Sequence, residues 1–279
     1  MGQIVTAMNT LTEYLESREK TPVVLVFVNT PYLPVFDIWY ALYMINSAPD
    51  LIVIALDKTA YENLTQRGIC CFFAGSDEFN NFLSLKIYDK HEVSVLSKLW
   101  LLRATAIRMI LDTGADVLHT DCDAFWLGDV YRLFRETPAD MTFSIAFSHP
   151  REVAQQWGFI LCMGLFMIRN SENTRKFFSD FADRLESTTS PSDQAVLNEF
   201  LYTENTRWKR YRIRNYKTYL QKYDITIHVF GDHLVSRKRT HHGLYAYHPF
   251  LEGDIDKKVA DSLGGIRKIL GKCNYDIPP

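Results

Sequence analysis

Apolar positions early in the chain follow two different patterns, one with helical spacing and one continuous. Ile4, Met8 and Leu11 recur every three to four residues, which predicts an amphipathic helix over residues 4–18. Residues 23–28 instead form an unbroken apolar run rich in valine, which is typical of a strand buried on both faces. The opening of the chain is therefore predicted to be a helix followed by a buried strand.

The same alternation continues through the first 120 residues. A segment of helical period, residues 36–44, separates the first apolar run from a second one at residues 51–56. A long helix is predicted over residues 91–112, and a short apolar strand follows over residues 115–120. Strands that alternate with helices form parallel sheets, so we expect one α/β domain with a mostly parallel central sheet flanked by helices.

The later part of the chain extends this pattern. A strand is predicted over residues 159–168, and helices are predicted over residues 171–187 and 191–202. Ser190 is the expected N-cap of the last of these helices.

Composition and charge narrow the class of protein. The chain has 279 residues, of which 47% are hydrophobic, and a formal net charge of -2, so no global field attracts nucleic acid or an anionic membrane. Its cysteines are odd in number and lack paired Cys-x-x-Cys spacing, which favours reduced thiols. We find neither a signal peptide nor a run of about 20 apolar residues, and we expect a cytoplasmic protein without a membrane anchor.

Two carboxylates follow the strand predicted over residues 115–120. Asp121 and Asp123 leave its carboxyl end, the edge at which open α/β sheets bind ligands. An Asp-x-Asp triplet alone is weak support for a metal site, because such residues are often solvated or cap helices. Here the apolar segment Phe125 to Leu127 follows at once, and two carboxylates beside a core repel each other without a cation. We therefore predict a divalent metal site that assists departure of a diphosphate.

The residues around this triplet resemble a known signature. The segment His119 to Leu127 is similar to the metal-binding motif of glycosyltransferase family 77 and related nucleotide-diphospho-sugar transferases. Asp193, Gln194 and Asn198 resemble the Asp-Gln-x-x-x-Asn element of that family. The resemblance covers roughly residues 22–200 and implies a GT-A fold, a UDP-sugar donor, a glycan acceptor and Mn²⁺ or Mg²⁺.

The resemblance also implies roles for individual residues. It divides the domain into a nucleotide-binding half, residues 1–130, and an acceptor-binding half, residues 131–279. Xylose is the first expected donor sugar, because the chain resembles xylosyltransferases that large algal viruses encode, and galactose is the second. The expected metal ligands are Asp121, Asp123 and His248, and the expected catalytic residues are these two aspartates and Asp193. The expected nucleotide-sugar contacts are Asn29, Thr30, Asp57, Arg103, Asp121, Gln194 and Lys257.

Several alternatives stay open on the sequence alone. Asp57 is equally well explained as a helix cap. Asp193 is a general base if the enzyme inverts, and a contact to the donor sugar if it retains. Six basic residues between Arg207 and Lys217 alternate with aromatic ones, which favours either a charged strand edge or a non-catalytic module that binds glycans or nucleic acid.

Overall fold

The computed structural model describes residues 10–46, 49–77, 79, 95–188, 192–211, 214–238, 243–250 and 254–272. The helices are α1 (Leu11–Ser17), α2 (Leu33–Ile45), α3 (Lys58–Gln66), α4 (Val95–Asp112), α5 (Val130–Arg135), α6 (Arg151–Trp157), α7 (Glu172–Ser187), α8 (Asp193–Thr203) and α9 (Ile255–Lys272). The strands are β1 (Val23–Val28), β2 (Asp50–Ala55), β3 (Cys71–Phe73), β4 (Val117–Thr120), β5 (Phe125–Trp126), β6 (Met141–Ala146), β7 (Ile160–Ile168), β8 (Lys209–Tyr211), β9 (Asn215–Leu220), β10 (Ile225–Phe230), β11 (Val235–Ser236) and β12 (Ala246–Tyr247).

Nine of these strands form one sheet in the order β3-β2-β1-β4-β7-β6-β10-β9-β8. Strands β3, β2, β1 and β4 are parallel, as the alternation of strands and helices predicts. Strand β7 is antiparallel to both β4 and β6, and β10 is parallel to β6 but antiparallel to β9. The predicted α/β fold is confirmed, with a sheet whose parallel half is β3 to β4 and whose remainder is mixed.

Individual elements agree closely with their predicted ranges. Strand β1 occupies the predicted residues 23–28 and is buried along its whole length. The predicted residues 4–9 of the first helix and 91–94 of the long helix lie outside the described residues. The same is true of Ser190, the predicted cap of α8; in the structure Ser192 caps this helix and accepts a hydrogen bond from the Ala195 amide.

The core lies on both faces of the sheet. One cluster packs α1, α4, α7 and α8 against it, and the other packs α2, α3, α5 and α9. In the second cluster the buried rings of Trp39 on α2 and Trp126 on β5 meet edge to face at 5.8 Å. Each such side chain contributes about 1.5–3 kcal/mol through burial. This contact fixes the segment that follows Asp123 beneath α2.

Strand β8 lies at the outer edge of the sheet and carries part of the basic and aromatic cluster. Lys209 and Arg210 are exposed there, and the ammonium of Lys217 on β9 lies 4.4 Å from the ring of Tyr211. Exposed lysine and arginine protect a sheet edge from pairing with another chain. The position of the cluster therefore favours the charged-edge interpretation.

None of the helices within the described ranges combines the length and the apolar character that crossing a membrane requires.

Candidate active site

The small sheet β11-β12-β5 brings His248 beside the Asp-x-Asp triplet. Strand β5 begins two residues after Asp123, and its Phe125 pairs with Tyr247 on β12, so the next residue, His248, lies against the triplet. The imidazole Nε2 lies 3.3 Å from Asp123 Oδ1 and 3.6 Å from Asp121 Oδ2. One ligand atom from each of the three residues falls within 4.8 Å of the others. The structure thus brings together the three residues predicted to bind metal.

These three groups have the chemistry of a divalent cation site. Two carboxylates and one imidazole suit Mn²⁺ or Mg²⁺ when diphosphate oxygens complete the coordination. Burial alone would raise the pKa of Asp121, but the nearby His119 ring and the Arg103 guanidinium lower it well below the usual carboxyl value. Burial and Arg237 lower the pKa of His248, whereas Cys162 and Asp123 raise it, to about 9 overall. Asp121 therefore stays ionised, and His248 holds a proton at neutral pH.

Arg103 on α4 connects two of the predicted catalytic carboxylates. Its Nε donates to Asp193 Oδ2 at 2.7 Å, one terminal nitrogen makes a shorter contact with the same oxygen, and the other donates to Asp121 Oδ1 at 3.0 Å. Arg103 is 6% exposed and Asp193 is 2% exposed. Burial raises the pKa of Asp193, although Arg103 opposes that rise. The predicted nucleotide contact of Arg103 remains untested, and in the structure its guanidinium is committed to carboxylates.

His119 supports the same network from beneath. It is fully buried between the rings of Phe27 and Phe166, with Nδ1 3.1 Å from the Leu25 carbonyl oxygen and Nε2 3.0 Å from an Arg103 nitrogen. Burial lowers its pKa to about 4, so the ring is neutral at pH 7. The neutral ring then donates from Nδ1 to the backbone and accepts at Nε2 from Arg103, which orients the guanidinium toward Asp121.

A bulge in β7 lets the strand approach the carboxylates. The pairing between β6 and β7 shifts after Phe143, and the bulged residues include Gly164, whose carbonyl oxygen accepts from the Asp121 amide at 2.7 Å. A Cβ atom at Gly164 would overlap both Asp121 Oδ2 and the His248 ring. Glycine is therefore required at this position for the carboxylate and the imidazole to converge.

Replacing Gly164 with alanine is expected to weaken Mn²⁺ binding at least tenfold, because the added methyl group displaces Asp121 or His248. The free energy of unfolding should fall by about 1–3 kcal/mol, as in other overpacked sites. Titration with Mn²⁺ and urea denaturation measure the two effects. Gly264→Ala on α9 is the matched control, since its Cβ would meet no atom within 4 Å. Equal Mn²⁺ affinity in Gly164→Ala and the unmodified protein would contradict the expectation.

The residues resembling the Asp-Gln-x-x-x-Asn element all lie on α8 and hold neighbouring segments in place. Asn198 is fully buried, and its amide oxygen accepts from Leu161 N at 2.8 Å while its amide nitrogen donates to Leu161 O at 2.9 Å. The amide nitrogen of Gln194 donates to the His149 carbonyl oxygen at 3.1 Å. Helix α8 therefore supports β7 through Asn198 and the loop before α6 through Gln194.

The predicted nucleotide contacts of the first half lie at the ends of β1 and β2. Asp57 accepts hydrogen bonds from Thr30 N at 2.7 Å, from Thr30 Oγ1 at 2.5 Å and, as the cap of α3, from Ala60 N at 2.9 Å. Partial burial raises the pKa of Asp57, but these hydrogen bonds lower it overall. Asn29 caps the 3-10 turn Thr30–Tyr32. The cap interpretation of Asp57 is confirmed, and its nucleotide contact remains a prediction.

The turn after β1 also adjoins the predicted metal site. Burial raises the pKa of the Tyr32 hydroxyl, and the nearby Asp123 carboxylate raises it further. Helix α9 packs against the same turn and against α2. Lys257, in the first turn of α9, is exposed and forms an ion pair with Asp261 at 2.7 Å.

Two residues beside His248 were missed by sequence reasoning. Arg237 follows β11 and donates to Cys162 Sγ at 2.9 Å, and the same nitrogen lies 3.1 Å from His248 Nδ1. Burial opposes ionisation of Cys162, but Arg237 and His248 lower the pKa of this thiol to about 6. Arg237 and His248 lie 75 and 86 positions after Cys162 along the chain, so no local motif could have joined the three residues.

Comparisons with known proteins agree with this architecture. The sequence profile described as nucleotide-diphospho-sugar transferase matches residues 46–261. The crystal structure of mouse xyloside xylosyltransferase 1 is 10% identical, with 92% of this chain and 100% of that chain covered and a TM-score of 0.50. An active-site mutant of LgtC is 10% identical, with 92% and 97% covered and a TM-score of 0.51. These two structures show a shared GT-A fold. No curated protein matches the chain.

Proposed function

Because the chain belongs to the nucleotide-diphospho-sugar transferase family, we propose that it transfers a sugar from a UDP-sugar to a hydroxyl group of a glycan acceptor. The observation that carries this proposal is the convergence of Asp121, Asp123 and His248 at the carboxyl end of β4. A divalent ion bound by these three residues would neutralise the negative charge that develops on a departing UDP. Mn²⁺ is the first candidate and Mg²⁺ the second.

The nucleotide is proposed to lie over the ends of β1 and β2. Asn29 and Thr30 supply polar groups at the end of β1, and the hydrogen bonds of Asp57 keep the turn after β1 in place. Lys257 remains a candidate cation for the diphosphate, and its ion pair with Asp261 would have to open. Arg237 is a second candidate because it already contacts His248.

Asp193 is proposed to act on the donor sugar, beside the predicted metal site. Its carboxylate is bound to Arg103, which also holds Asp121, so the two carboxylates share one cation. In a retaining enzyme Asp193 accepts a hydrogen bond from the donor sugar while the leaving phosphate takes the acceptor proton. In an inverting enzyme Asp193 would itself take that proton, which requires a freer carboxylate than this buried pair provides. The burial of the pair therefore supports the retaining route.

The donor sugar is proposed to be xylose, with galactose as the second candidate. Support comes from the fold shared with a xyloside xylosyltransferase and with LgtC, which is described as a galactosyltransferase. The test is hydrolysis of a panel of UDP-sugars and GDP-sugars by the purified protein, with Mn²⁺ and with chelator. Metal-dependent release of UDP from one donor is the expected result. Absence of both UDP release and metal-dependent UDP binding would overturn the proposal in favour of a non-catalytic binding module.

Affinity for Mn²⁺ is expected to rise with pH. The pKa of His248 without metal is about 9, and its Nε2 must lose a proton before it can bind a cation. Below about pH 9, each unit of acidification should weaken binding about tenfold, and the dependence should level off above that value. Mn²⁺ titrations between about pH 6.5 and 8.5 measure the slope. An affinity that does not change across this range would remove His248 from the ligand set.

A further inference from the structure

The imidazole of His248 has different neighbours at its two nitrogens. Nε2 faces the carboxylates of Asp121 and Asp123, whereas Nδ1 lies 3.7 Å from Cys162 Sγ and 3.1 Å from a terminal nitrogen of Arg237. His248 is 4% exposed, so once its ring has lost one proton and become neutral, these neighbours rather than solvent decide which nitrogen keeps the remaining proton. The position of that proton decides whether Nε2 can bind a cation.

Binding through Nε2 requires a lone pair on Nε2 and therefore a proton on Nδ1. That proton needs an acceptor. A guanidinium offers five donors and no acceptor, so Arg237 cannot accept it. The sulfur of Cys162 can, and it is held in place by hydrogen bonds from Arg237 at 2.9 Å and from the Gly164 amide at 3.4 Å.

Arg237 favours the other arrangement of the His248 ring, in which the proton lies on Nε2. If no acceptor stood beside Nδ1, that nitrogen would accept a hydrogen bond from Arg237, and the ring proton would move to Nε2. The protonated Nε2 would then donate to Asp123 Oδ1, 3.3 Å away, and would have no lone pair for a cation. The balance between these two arrangements of His248 depends on the sulfur atom.

We propose that Cys162 is a positioning residue that accepts the Nδ1 proton of His248 and so presents Nε2 to the metal. This inference rests on the proposed function, since it concerns the same metal site. It gives a role to a buried thiol that neither the Asp-x-Asp motif nor the transfer reaction explains. Hydrogen-bonding partners of metal-binding histidines typically change metal affinity 10- to 100-fold when they are replaced.

The test is Mn²⁺ binding by the full chain without nucleotide, followed by the electron paramagnetic resonance signal of free Mn²⁺. Cys162→Ala is expected to raise the Kd for Mn²⁺ about tenfold or more. Cys162→Ser keeps an acceptor at the same place and should stay within about threefold of the unmodified protein. If Cys162→Ala does not fold, Cys162→Val removes the acceptor while filling the space. Cys71→Ala, on β3, is the matched control and should leave the Kd unchanged.

The outcomes separate this inference from the proposed function. Mn²⁺ binding that is lost in Asp123→Ala but equal in Cys162→Ala and the unmodified protein would overturn the role of Cys162 alone. Equal weakening in Cys162→Ser and Cys162→Ala would also overturn it, because loss of packing would then explain both variants. Absence of Mn²⁺ binding in the unmodified protein would overturn the metal site itself. Weakening in Cys162→Ala with recovery in Cys162→Ser supports the proposal.

Discussion

Asp123→Ala is expected to reduce metal-dependent release of UDP by about 10³-fold or more. Asp123 contributes an oxygen next to His248 Nε2, and its loss leaves two of the three residues predicted to bind the metal. The charge on a leaving diphosphate would then lack a stabilisation worth several kcal/mol, and each 1.36 kcal/mol corresponds to about a tenfold change in rate. The rate of UDP release at saturating Mn²⁺, with the best donor of the panel, measures the effect.

The control for this variant is Asp129→Ala. Asp129 lies six residues further along the chain and caps α5, accepting a hydrogen bond from Arg132 N at 2.9 Å. Its replacement should cost about 1 kcal/mol of stability, as loss of a helix cap does, while UDP release stays within about twofold. If Asp123→Ala releases UDP as fast as Asp129→Ala does, the Asp-x-Asp triplet has no role in catalysis.

Asp193→Asn is expected to lower the free energy of unfolding by about 3 kcal/mol and to reduce turnover at least about 100-fold. The substitution keeps the shape of the side chain but leaves the buried Arg103 without the carboxylate that binds two of its nitrogens. Removing one partner of a buried ion pair typically costs 3–5 kcal/mol, because the remaining charge is poorly solvated. Urea denaturation and UDP release, both at a temperature at which the variant stays folded, separate the two effects.

Asp183→Asn provides the comparison at the surface. Asp183 lies 3.8 Å from Arg108, and its side chain is 64% exposed. Exposed ion pairs contribute about 0–1 kcal/mol, so this variant should be nearly as stable as the unmodified protein and fully active. A folded Asp193→Asn protein with unchanged turnover would show that Asp193 belongs to the scaffold and not to the active site.

The parts of the fold that follow from local pattern were predictable from the sequence. Strand β1 could be bounded because its residues are apolar without interruption, and α3 because Asp57 has the side chain that a helix N-terminus requires. The GT-A fold was predicted from the resemblance of the residues around the triplet to a known family. The direction of the strands after β4 was not predicted, because an apolar run such as residues 160–168 is equally compatible with a parallel and an antiparallel sheet.

In the candidate site, the sequence predicted that Asp121, Asp123 and His248 come together, but it did not predict most of the side chains that contact them. His248 was selected from eight histidines through its resemblance to a family element, and the structure brings it to the triplet. The nucleotide contact expected of Arg103 stays a prediction, and its contacts with Asp193 and Asp121 were not foreseen. Its contact with Asp193 joins positions 90 residues apart, and burial of both groups depends on how helices pack on the sheet. Pairings of this kind arise from tertiary structure and leave no spacing in the sequence.

The hydrogen bonds of Asn198 to Leu161 explain how β7 can extend beyond β4 without a cost in unpaired backbone groups. Residues 160–162 pair with β6 on one side but extend beyond the last residue of β4 on the other. The Asn198 amide offers Leu161 one donor and one acceptor, as a neighbouring strand would. A single side chain thereby replaces a missing length of strand. The sheet can stay incomplete at this point, and the chain after β4 can turn into the Asp-x-Asp triplet instead of continuing as a strand.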